Sequence, residues 1–397
     1  MKQIGIGIVG AGFIAQTRAR CYGKVSGGRH RIVAVAETDR DRAESYASCY
    51  DVPKVTTDYR ELLALPEVDL VDLCVPNFLH RPMTEAAAKA GKHIVCTKPM
   101  TAYAGQDLEE GERLEATGKQ DRRKMFEVAT ENAEAMVEAA NRAGVQLMYG
   151  ENWVYAPSLR KVVDLSEKAG GTILDMRGGE CHCGSHTPFS KIWYYAGGGA
   201  LIRLGAHPIG AMIYLKRKEG LARDGKAIRP VSITAEVGDL SQIPSVKTEE
   251  EDWIVKGWKD VENWGSAIVT FEDGAKGIVW ASDTLLGGME SRLDVFLSNC
   301  HFKCNMSPSE LVQAYAPDDR VFGDGYIIEK GGTKAGWSTP MPDEDWTSGH
   351  QLMCQAFVDA IVEDKPAESD GTLGLEVVRA IYGAYLSAAE GRRVDLV

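Results

Sequence analysis

The sequence of 397 residues lacks two features that would indicate a membrane or nucleic-acid protein. It contains no apolar run as long as a membrane span requires. It also has no excess of basic residues, because 45 Lys and Arg are outnumbered by 57 Asp and Glu, and the formal net charge is −12. Partners that carry phosphates require clustered Lys and Arg. We therefore expect no nucleic-acid partner and no membrane partner, and a small molecule is the favoured ligand.

The sequence also lacks room for a signal peptide, since the first strand pattern starts directly after Met1, Lys2 and Gln3. Cysteine is sparse, with nine residues scattered along the chain, and some of them, such as Cys74 and Cys96, lie inside apolar runs. This distribution is typical of reduced, buried thiols and not of a disulfide framework. We therefore expect a cytoplasmic protein.

One cluster has the residue types of a metal site, namely Cys181-His182-Cys183 with His186 nearby. A structural zinc site needs two pairs of ligands, and a C-x-C segment without a second pair is a poor framework. We therefore predict no metal site.

The chain begins with a strand, a glycine turn and a helix. Residues 4–9 form the β-branched apolar run of a buried parallel strand, and Gly10-Ala11-Gly12-Phe13-Ile14-Ala15 follows it as G-x-G-x-x-A. Gly10 allows the tight turn, and Gly12 lets the backbone approach a pyrophosphate. The helix start offers unpaired N–H groups and the positive end of its dipole to the phosphates. We therefore predict a dinucleotide site that includes Gly10, Gly12, Phe13 and Ile14.

The next strand pattern supports this prediction. The strand pattern of residues 31–36 is followed directly by Glu37, whose carboxylate is placed to accept hydrogen bonds from the adenosine ribose diol. Because Glu37 would repel a 2′-phosphate, the sequence favours NAD over NADP, although Arg40 lies close enough to weaken that preference.

Strand and helix patterns alternate up to residue 149, which predicts a doubly wound parallel sheet. Strands 68–75 and 92–96 end next to Asn77 and Lys98. In such sheets ligands bind beyond the carboxyl ends of the strands, so these residues should share one edge with Gly10 and Glu37.

The pattern changes after Gly150, and we predict a second domain over residues 150–397. Its strand patterns are linked by turn signals such as Glu272-Asp273-Gly274, which indicates a largely antiparallel sheet. The predicted strands cover residues 173–180, 231–237, 264–271, 275–282 and 291–297. The fold class is therefore α/β, with an N-terminal Rossmann sheet followed by a C-terminal α+β domain with an open sheet.

Two residues are candidates for proton and charge chemistry. A lysine at a strand end beside a nicotinamide, Lys98, can hydrogen-bond a reacting hydroxyl and hold developing negative charge. An imidazole, His207, can accept the proton that an alcohol loses as hydride leaves its carbon. A helix predicted over residues 200–215 would place Arg203 and His207, four residues apart, on one face.

These motifs resemble those of the Gfo/Idh/MocA family of sugar and cyclitol oxidoreductases. The similarity rests on the glycine turn, Pro76-Asn77 with His80, Lys98-Pro99, Gly197-Gly198-Gly199-Ala200 leading to His207, and residues 355–361. The resemblance implies NAD(P)-linked hydride transfer at a secondary hydroxyl of a pyranose, glycoside or inositol, with Lys98 and His207 as the catalytic pair. It also implies a homodimer or homotetramer, which we expect to form through the C-terminal sheet.

The sequence departs from the family pattern at two positions. Thr97 stands where the family usually has Glu, and Arg203 stands where its D-x-x-x-H pattern has Asp. An Arg on the same helical face should lower the pKa of His207. We hypothesise that Arg203 binds a substrate oxygen and leaves His207 neutral as a base.

Further residues complete the predicted site. Aromatic side chains near the crevice are candidates for a wall on which a sugar stacks, although each is as well explained by core packing. The predicted cofactor contacts are Gly10, Gly12, Phe13, Ile14, Glu37, Pro76, Asn77, His80, Thr97, Lys98 and Trp193. The predicted substrate contacts are Lys98, Glu151, Trp153, Tyr155, His182, Arg203 and His207, with His186 as a further possibility.

Three functions fit these predictions. The leading one is an NAD-dependent dehydrogenase of a sugar ring hydroxyl, with C3 of a pyranoside as the first choice. A glycosidase that retains NAD and oxidises C3 transiently would need an additional base, for which Tyr149 or Tyr155 is available. A non-catalytic sensor of sugar and NAD is the third.

Overall fold

The computed structural model describes residues 3–185, 187–307, 311–328 and 333–396. The first half of the chain forms a parallel sheet of six strands in the order β3-β2-β1-β4-β5-β6. Its first strand is buried along its whole length, as its β-branched residues predict. The strands are β1 Ile4–Val9, β2 His30–Ala36, β3 Lys54–Thr56, β4 Leu70–Leu73, β5 His93–Thr97 and β6 Leu147–Gly150. The predicted doubly wound parallel sheet is confirmed.

Helices connect these strands and begin and end at residues suited to helix termini. The second helix begins after Asp39, whose carboxylate accepts a hydrogen bond from Arg42 N, and the sixth ends at Gly144, which has φ 66°. The helices of this half are α1 Phe13–Gly23, α2 Arg40–Tyr50, α3 Tyr59–Leu63, α4 His80–Lys89, α5 Arg113–Ala116 and α6 Arg122–Ala143.

The charged segment 107–123 contains the four residues of α5 between two 3-10 turns, and α6 begins at Arg122. Gly111 and Gly118 lie in those turns. Glycine lowers helix propensity, and the Asp260 carboxylate lies where a side chain on Gly118 would have to be. The segment is therefore a series of short helical turns and not one continuous helix.

The second half forms a seven-stranded sheet in the order β12-β11-β7-β10-β9-β8-β15. All neighbours are antiparallel except β7 and β10, which are parallel. The strands are β7 Ile173–His182, β8 Pro230–Gly238, β9 Trp264–Phe271, β10 Lys276–Ser282, β11 Met289–Leu297, β12 His301–Asn305 and β15 Val394–Asp395, and a separate antiparallel pair is formed by β13 Ala314–Ala316 and β14 Gly336–Ser338. The predicted, mainly antiparallel C-terminal sheet is confirmed.

Long helices cover one face of this second sheet. The helices of this half are α7 Pro157–Ala169, α8 Trp193–Ala196, α9 Ala200–Arg203, α10 Ala206–Asp224, α11 Pro244–Lys247, α12 Glu344–Thr347, α13 His350–Val362 and α14 Gly371–Glu390. Helix α10 packs on β7 and β10, and α14 packs on β8. On the sheet Leu174 and Ile268 stay 52% and 47% exposed. The second sheet therefore carries apolar side chains that remain exposed to solvent in the described part of the chain.

The last two long helices join the two halves, because α13 packs on α1 and α14 packs on α6. A domain boundary at residue 150 therefore stays a prediction. None of the helices in the described part of the chain has both the length and the apolarity needed to cross a membrane.

Candidate active site

The glycine turn leaves a space at the start of α1. Gly10 has φ 95°, and a Cβ there would lie 2.4 Å from the carbonyl oxygen of Cys74, so only glycine fits. At Gly12, by contrast, a Cβ would meet no atom of the described chain within 4 Å. No side chain caps α1 at this end. The first-turn N–H groups thus face open space in the way that a bound pyrophosphate requires.

Glu37 lies beside this turn, at the end of β2. Its carboxylate accepts hydrogen bonds from Ala11 N at 3.0 Å and from the Thr38 hydroxyl at 3.0 Å. The Arg42 guanidinium lies 3.7 Å from it, whereas Arg40 pairs with Glu44 instead. The carboxylate is thus fixed where a ribose diol can donate to it, and the cation beside it is Arg42. These residues fit a bound NAD.

A cavity of about 810 Å³ lies between the carboxyl edge of the first sheet and the second half of the chain. We call it the cleft. It contains most of the predicted site residues. Those lining it are Phe13, Ile14, Pro76, Asn77, His80, Thr97, Lys98, Trp153, His182, Arg203 and His207.

Gly10, Gly12 and Glu37 lie at the glycine turn and outside this lining. Three predicted contacts from the second half, Glu151, Tyr155 and Trp193, do not line the cleft either. Tyr155 is 3% exposed, and its hydroxyl accepts a hydrogen bond from Ser369 N at 3.0 Å. Trp193 is 1% exposed, with the Arg122 guanidinium 4.2 Å from its ring centroid. Burial of these large rings in the core places them out of a ligand's reach, which corrects the prediction for both.

Tyr149, the other candidate base, is also fully buried. Burial raises the pKa of both Tyr149 and Tyr155, so both phenols stay protonated. Neither of them can act as a base toward a ligand in the cleft.

Lys98 enters the cleft from the first half. It follows β5 directly, and its ammonium donates a hydrogen bond to the carbonyl oxygen of Arg203 in the second half. His80 contacts the segment after Lys98. Its Nδ1 lies 3.0 Å from the carbonyl oxygen of Met100, and its Nε2 lies 2.9 Å from the carbonyl oxygen of Val75. Burial lowers the pKa of His80. His80 therefore supports the loop that carries Lys98.

His207 enters the cleft from the second half, in the first turn of α10. Its Nδ1 lies 2.7 Å from Glu151 Oε1, and Glu151 is fully buried. A carboxylate only accepts hydrogen bonds, so the ring proton sits on Nδ1 and Nε2 carries the lone pair. The Trp153 ring stacks on the imidazole with 5.7 Å between centroids. Glu151 thus lies behind His207 as its hydrogen-bond partner, which corrects its predicted role as a substrate contact.

Arg203 lines the cleft, but its charge is balanced within the protein. The guanidinium pairs with the fully buried carboxylate of Asp283, with Nη1 and Oδ1 3.3 Å apart. The expected continuous helix is broken after α9, and His207 lies in α10, because the chain leaves the helix at Leu204-Gly205. Both residues line the cleft, and their placement on one helical face stays a prediction.

His182 lies at the carboxyl end of β7. Gly184 N donates to its Nδ1 at 2.9 Å, so the ring proton of a neutral imidazole sits on Nε2. His186 lies outside the described residues. Within the described ranges, no three His, Cys, Asp or Glu side chains are grouped to hold a metal ion.

The glycine-rich loop 197–199 brings the two halves together. A Cβ on Gly197 would lie 2.3 Å from that of Ala102, and one on Gly199 would lie 1.8 Å from the carbonyl oxygen of Glu262. The Glu262 carboxylate accepts hydrogen bonds from Gly199 N at 3.0 Å and Leu201 N at 2.9 Å. The glycines therefore allow close packing of protein on protein, and they fix the start of α9.

Sequence reasoning missed several residues in or beside the cleft, among them Glu180, Asp283 and His350. Glu180 Oε1 lies 4.0 Å from His207 Nε2, and Glu180 and Asp283 lie at the carboxyl ends of β7 and β10. The rule that sites form beyond the carboxyl ends of parallel strands would have indicated both, had the sequence revealed that this pair is parallel. His350 begins α13 and lines the cleft, and burial lowers its pKa.

Two family models match the chain. Residues 4–130 match the model described as "Oxidoreductase family, NAD-binding Rossmann fold", and residues 159–303 match the "GFO/IDH/MocA C-terminal domain". The two matches together include both walls of the cleft.

Individual proteins are similar over part or all of the chain. Trans-1,2-dihydrobenzene-1,2-diol dehydrogenase from Mus musculus is 29% identical over 49% of this chain, and the match spans about half of that protein (51%). D-apiose dehydrogenase from Paraburkholderia graminis is 24% identical over 98% of this chain and 88% of its own length. The crystal structure of GenD2 from gentamicin A biosynthesis in complex with NAD has a TM-score of 0.78 at 24% identity, and the match covers 100% of this chain and 97% of that one. That likeness shows a shared fold.

Proposed function

Because the chain belongs to the GFO/IDH/MocA family of oxidoreductases, whose N-terminal half is an NAD-binding Rossmann fold, we propose that it is an NAD-dependent dehydrogenase of a secondary ring hydroxyl on a sugar. Our first choice of position is C3 of a pyranoside. The observation that carries the proposal is that Lys98 and His207, from opposite halves of the chain, line one cleft. The name of the D-apiose dehydrogenase relative supports a sugar substrate.

The glycine turn and Glu37 would hold NAD, which would supply the acceptor for the hydride of the carbinol carbon. The chain's own residues have two tasks, which are to stabilise charge on the reacting oxygen and to remove its proton. Asn77 lines the cleft, and its Oδ1 is buried without a hydrogen-bond partner among the described residues. A bound ligand or a water can donate to such an acceptor, and we assign Asn77 to cofactor binding.

Lys98 performs the first task. Its ammonium lines the cleft and donates to the carbonyl oxygen of Arg203, and we propose that the substrate hydroxyl oxygen accepts a hydrogen bond from the same ammonium. A cation at that point stabilises the negative charge that develops on the oxygen as its proton leaves. The carbonyl contact fixes the position of the ammonium before a substrate arrives.

His207 performs the second task, with Nε2 as the acceptor of the hydroxyl proton. Glu151 keeps the proton on Nδ1 and stabilises the imidazolium that forms, so it is a positioning residue that never touches the substrate. Position 203, where the family's D-x-x-x-H pattern has Asp, holds an Arg that is paired with Asp283, and Glu151 is the carboxylate that lies next to His207 Nδ1. The hypothesis that Arg203 binds a substrate oxygen stays a prediction, since its guanidinium lines the cleft while Asp283 balances its charge.

Two further side chains are placed to hold the sugar. Both line the cleft: His182 carries its ring proton on Nε2, and a carboxylate oxygen of Glu180 lies 4.0 Å from His207 Nε2. Sugar hydroxyls both donate and accept hydrogen bonds, so one donor and one acceptor on the same wall suit a polyhydroxylated ring.

The glycosidase alternative is less well supported, because Tyr149 and Tyr155 are buried and protonated. The sensor alternative does not account for a fully buried carboxylate that fixes the tautomer of His207.

For assembly, we propose a homodimer or homotetramer through the second sheet, where Leu174 and Ile268 are exposed. Light scattering of Ile268→Asp tests that assembly.

The deciding experiment incubates the purified protein and NAD with hexoses, inositols, uronates, and O- and C-glycosides. The readouts are NADH absorbance and mass spectrometry of the products. A ketone product formed together with NADH is the expected result. Release of an aglycone without net NADH would support the glycosidase, and binding without any product would support the sensor.

A further inference from the structure

A second cavity lies next to the cleft and has an apolar aromatic lining. Its volume is about 980 Å³, which falls at the upper end of the range for sites that hold small molecules. Trp253, Trp337 and Leu286 line it and are 70%, 75% and 56% exposed. We call this cavity the vestibule. Three large apolar side chains around one concave space are unusual on a protein surface and indicate a binding site.

The vestibule and the cleft are adjacent. Met289, at the start of β11, lines both cavities. At two further points consecutive residues line the two cavities: His182 lines the cleft and Cys183 the vestibule, while Tyr326 lines the cleft and Ile327 the vestibule. The vestibule therefore lies directly beside the space in which a substrate would bind.

The charged residues of the vestibule are committed to the protein itself. Lys191 donates to the carbonyl oxygen of Lys256, and its ammonium lies 5.8 Å from the Trp258 ring centroid. Lys256 pairs with Asp252 at 2.7 Å and also donates to the carbonyl oxygen of Val246 at 2.7 Å. A ligand here would be recognised by apolar and aromatic contact and not by charge.

We propose that the vestibule holds an apolar, ring-containing substituent of the substrate, so that the substrate is a glycoside with an aromatic aglycone and not a free sugar. This inference rests on the proposed function. A second copy of the chain is the alternative occupant, but the concave shape and the wall that the vestibule shares with the cleft at Met289 suit part of a substrate better.

The test uses two probes with the same sugar, methyl β-D-glucopyranoside and 2-naphthyl β-D-glucopyranoside. Their kcat/KM values are measured with NAD, and their binding to the NAD-loaded protein is measured by calorimetry. We expect the naphthyl glycoside to be favoured by about 10-fold to 100-fold, mainly through KM, because its rings become buried. Trp253→Ala and Trp337→Ala should each reduce that ratio several-fold. Trp346→Ala, which removes an exposed tryptophan outside the lining of both cavities, should retain it.

Equal kcat/KM values for the two probes would contradict the proposed role of the vestibule and would leave the proposed dehydrogenase function unaffected. If the naphthyl glycoside binds in a way that depends on Trp253 but is not turned over, the proposed role of the vestibule is supported and the proposed dehydrogenase function is refuted. If the Trp variants dissociate an oligomer in light scattering while the ratio of the probes is unchanged, the occupant is a second copy of the chain and the inference is wrong. The absence of both binding and turnover with either probe would refute both proposals.

Discussion

The two walls of the cleft hold their functional groups in different ways. On the wall from the first sheet, Lys98 follows a strand end, and its loop is fixed by hydrogen bonds to backbone carbonyls. On the wall from the second half, His207 and Arg203 are each paired with a fully buried carboxylate, from Glu151 and Asp283. Backbone contacts depend on fold and register, whereas charge pairs depend on individual side chains. The second wall should therefore be much more sensitive to single substitutions of residues that do not line the cleft.

The largest effect is expected at the base on the second wall. His207→Ala should lower kcat/KM about 10²-fold to 10⁴-fold, since general base catalysis contributes about that much. Added imidazole should restore part of the rate if proton transfer is what the variant lost. Cofactor binding measured by calorimetry should stay unchanged. A variant that loses NAD affinity to the same extent would contradict this assignment.

Lys98→Met should lower kcat about 10²-fold to 10³-fold, which is the size of the effect of removing one donor to a developing oxyanion. The Met side chain retains most of the apolar stem and removes only the ammonium. Because His80 still contacts the carbonyl oxygen of Met100 in the loop after Lys98, the melting temperature should change little. A large fall in melting temperature with normal kcat would assign Lys98 a structural role.

Asp283→Asn should lower the free energy of unfolding by about 2–3 kcal/mol, because it leaves the Arg203 guanidinium partly buried without its counter-charge. The matched double variant, Asp283→Asn with Arg203→Gln, should recover part of that loss. Chemical denaturation of the single and double variants measures the coupling. Simple additivity of the two substitutions would mean that the ion pair contributes nothing.

Glu151→Gln should lower kcat about 10-fold to 100-fold, because the imidazolium loses its counter-charge. KM should change little, because Glu151 does not line the cleft. Glu151→Asp should restore part of the activity. Glu180→Gln serves as the comparison, because its carboxylate lies 4.0 Å from the other ring nitrogen and should change KM more than kcat. An unchanged kcat in Glu151→Gln would remove its positioning role.

The smallest effect is expected at the cofactor end. Glu37→Ala should lower the preference for NAD over NADP by about tenfold, because it removes both the acceptor for the ribose diol and the charge that repels a 2′-phosphate. Calorimetric titration with each dinucleotide measures that ratio. If the ratio is unchanged, Arg42 and not Glu37 controls the choice.

The sequence determined the parts of this protein that depend on local order along the chain. The strand, glycine turn and helix, the carboxylate of Glu37, and the placement of Lys98 at a strand end follow from patterns within a few residues and from the geometry of parallel strands. Those local patterns did not predict whether an individual aromatic side chain is exposed or buried. Tyrosine and tryptophan are the residue types on which a sugar would stack, yet Tyr155 and Trp193 both lie in the core.

Only the tertiary structure decided the partners on the second wall. Glu151 and His207 are 56 residues apart in the sequence, and Arg203 and Asp283 are 80 apart. Those pairings depend on the break between α9 and α10 and on the one parallel pair in an otherwise antiparallel sheet. No periodicity within a short window carries that information, because which side chains meet is set by how distant segments pack.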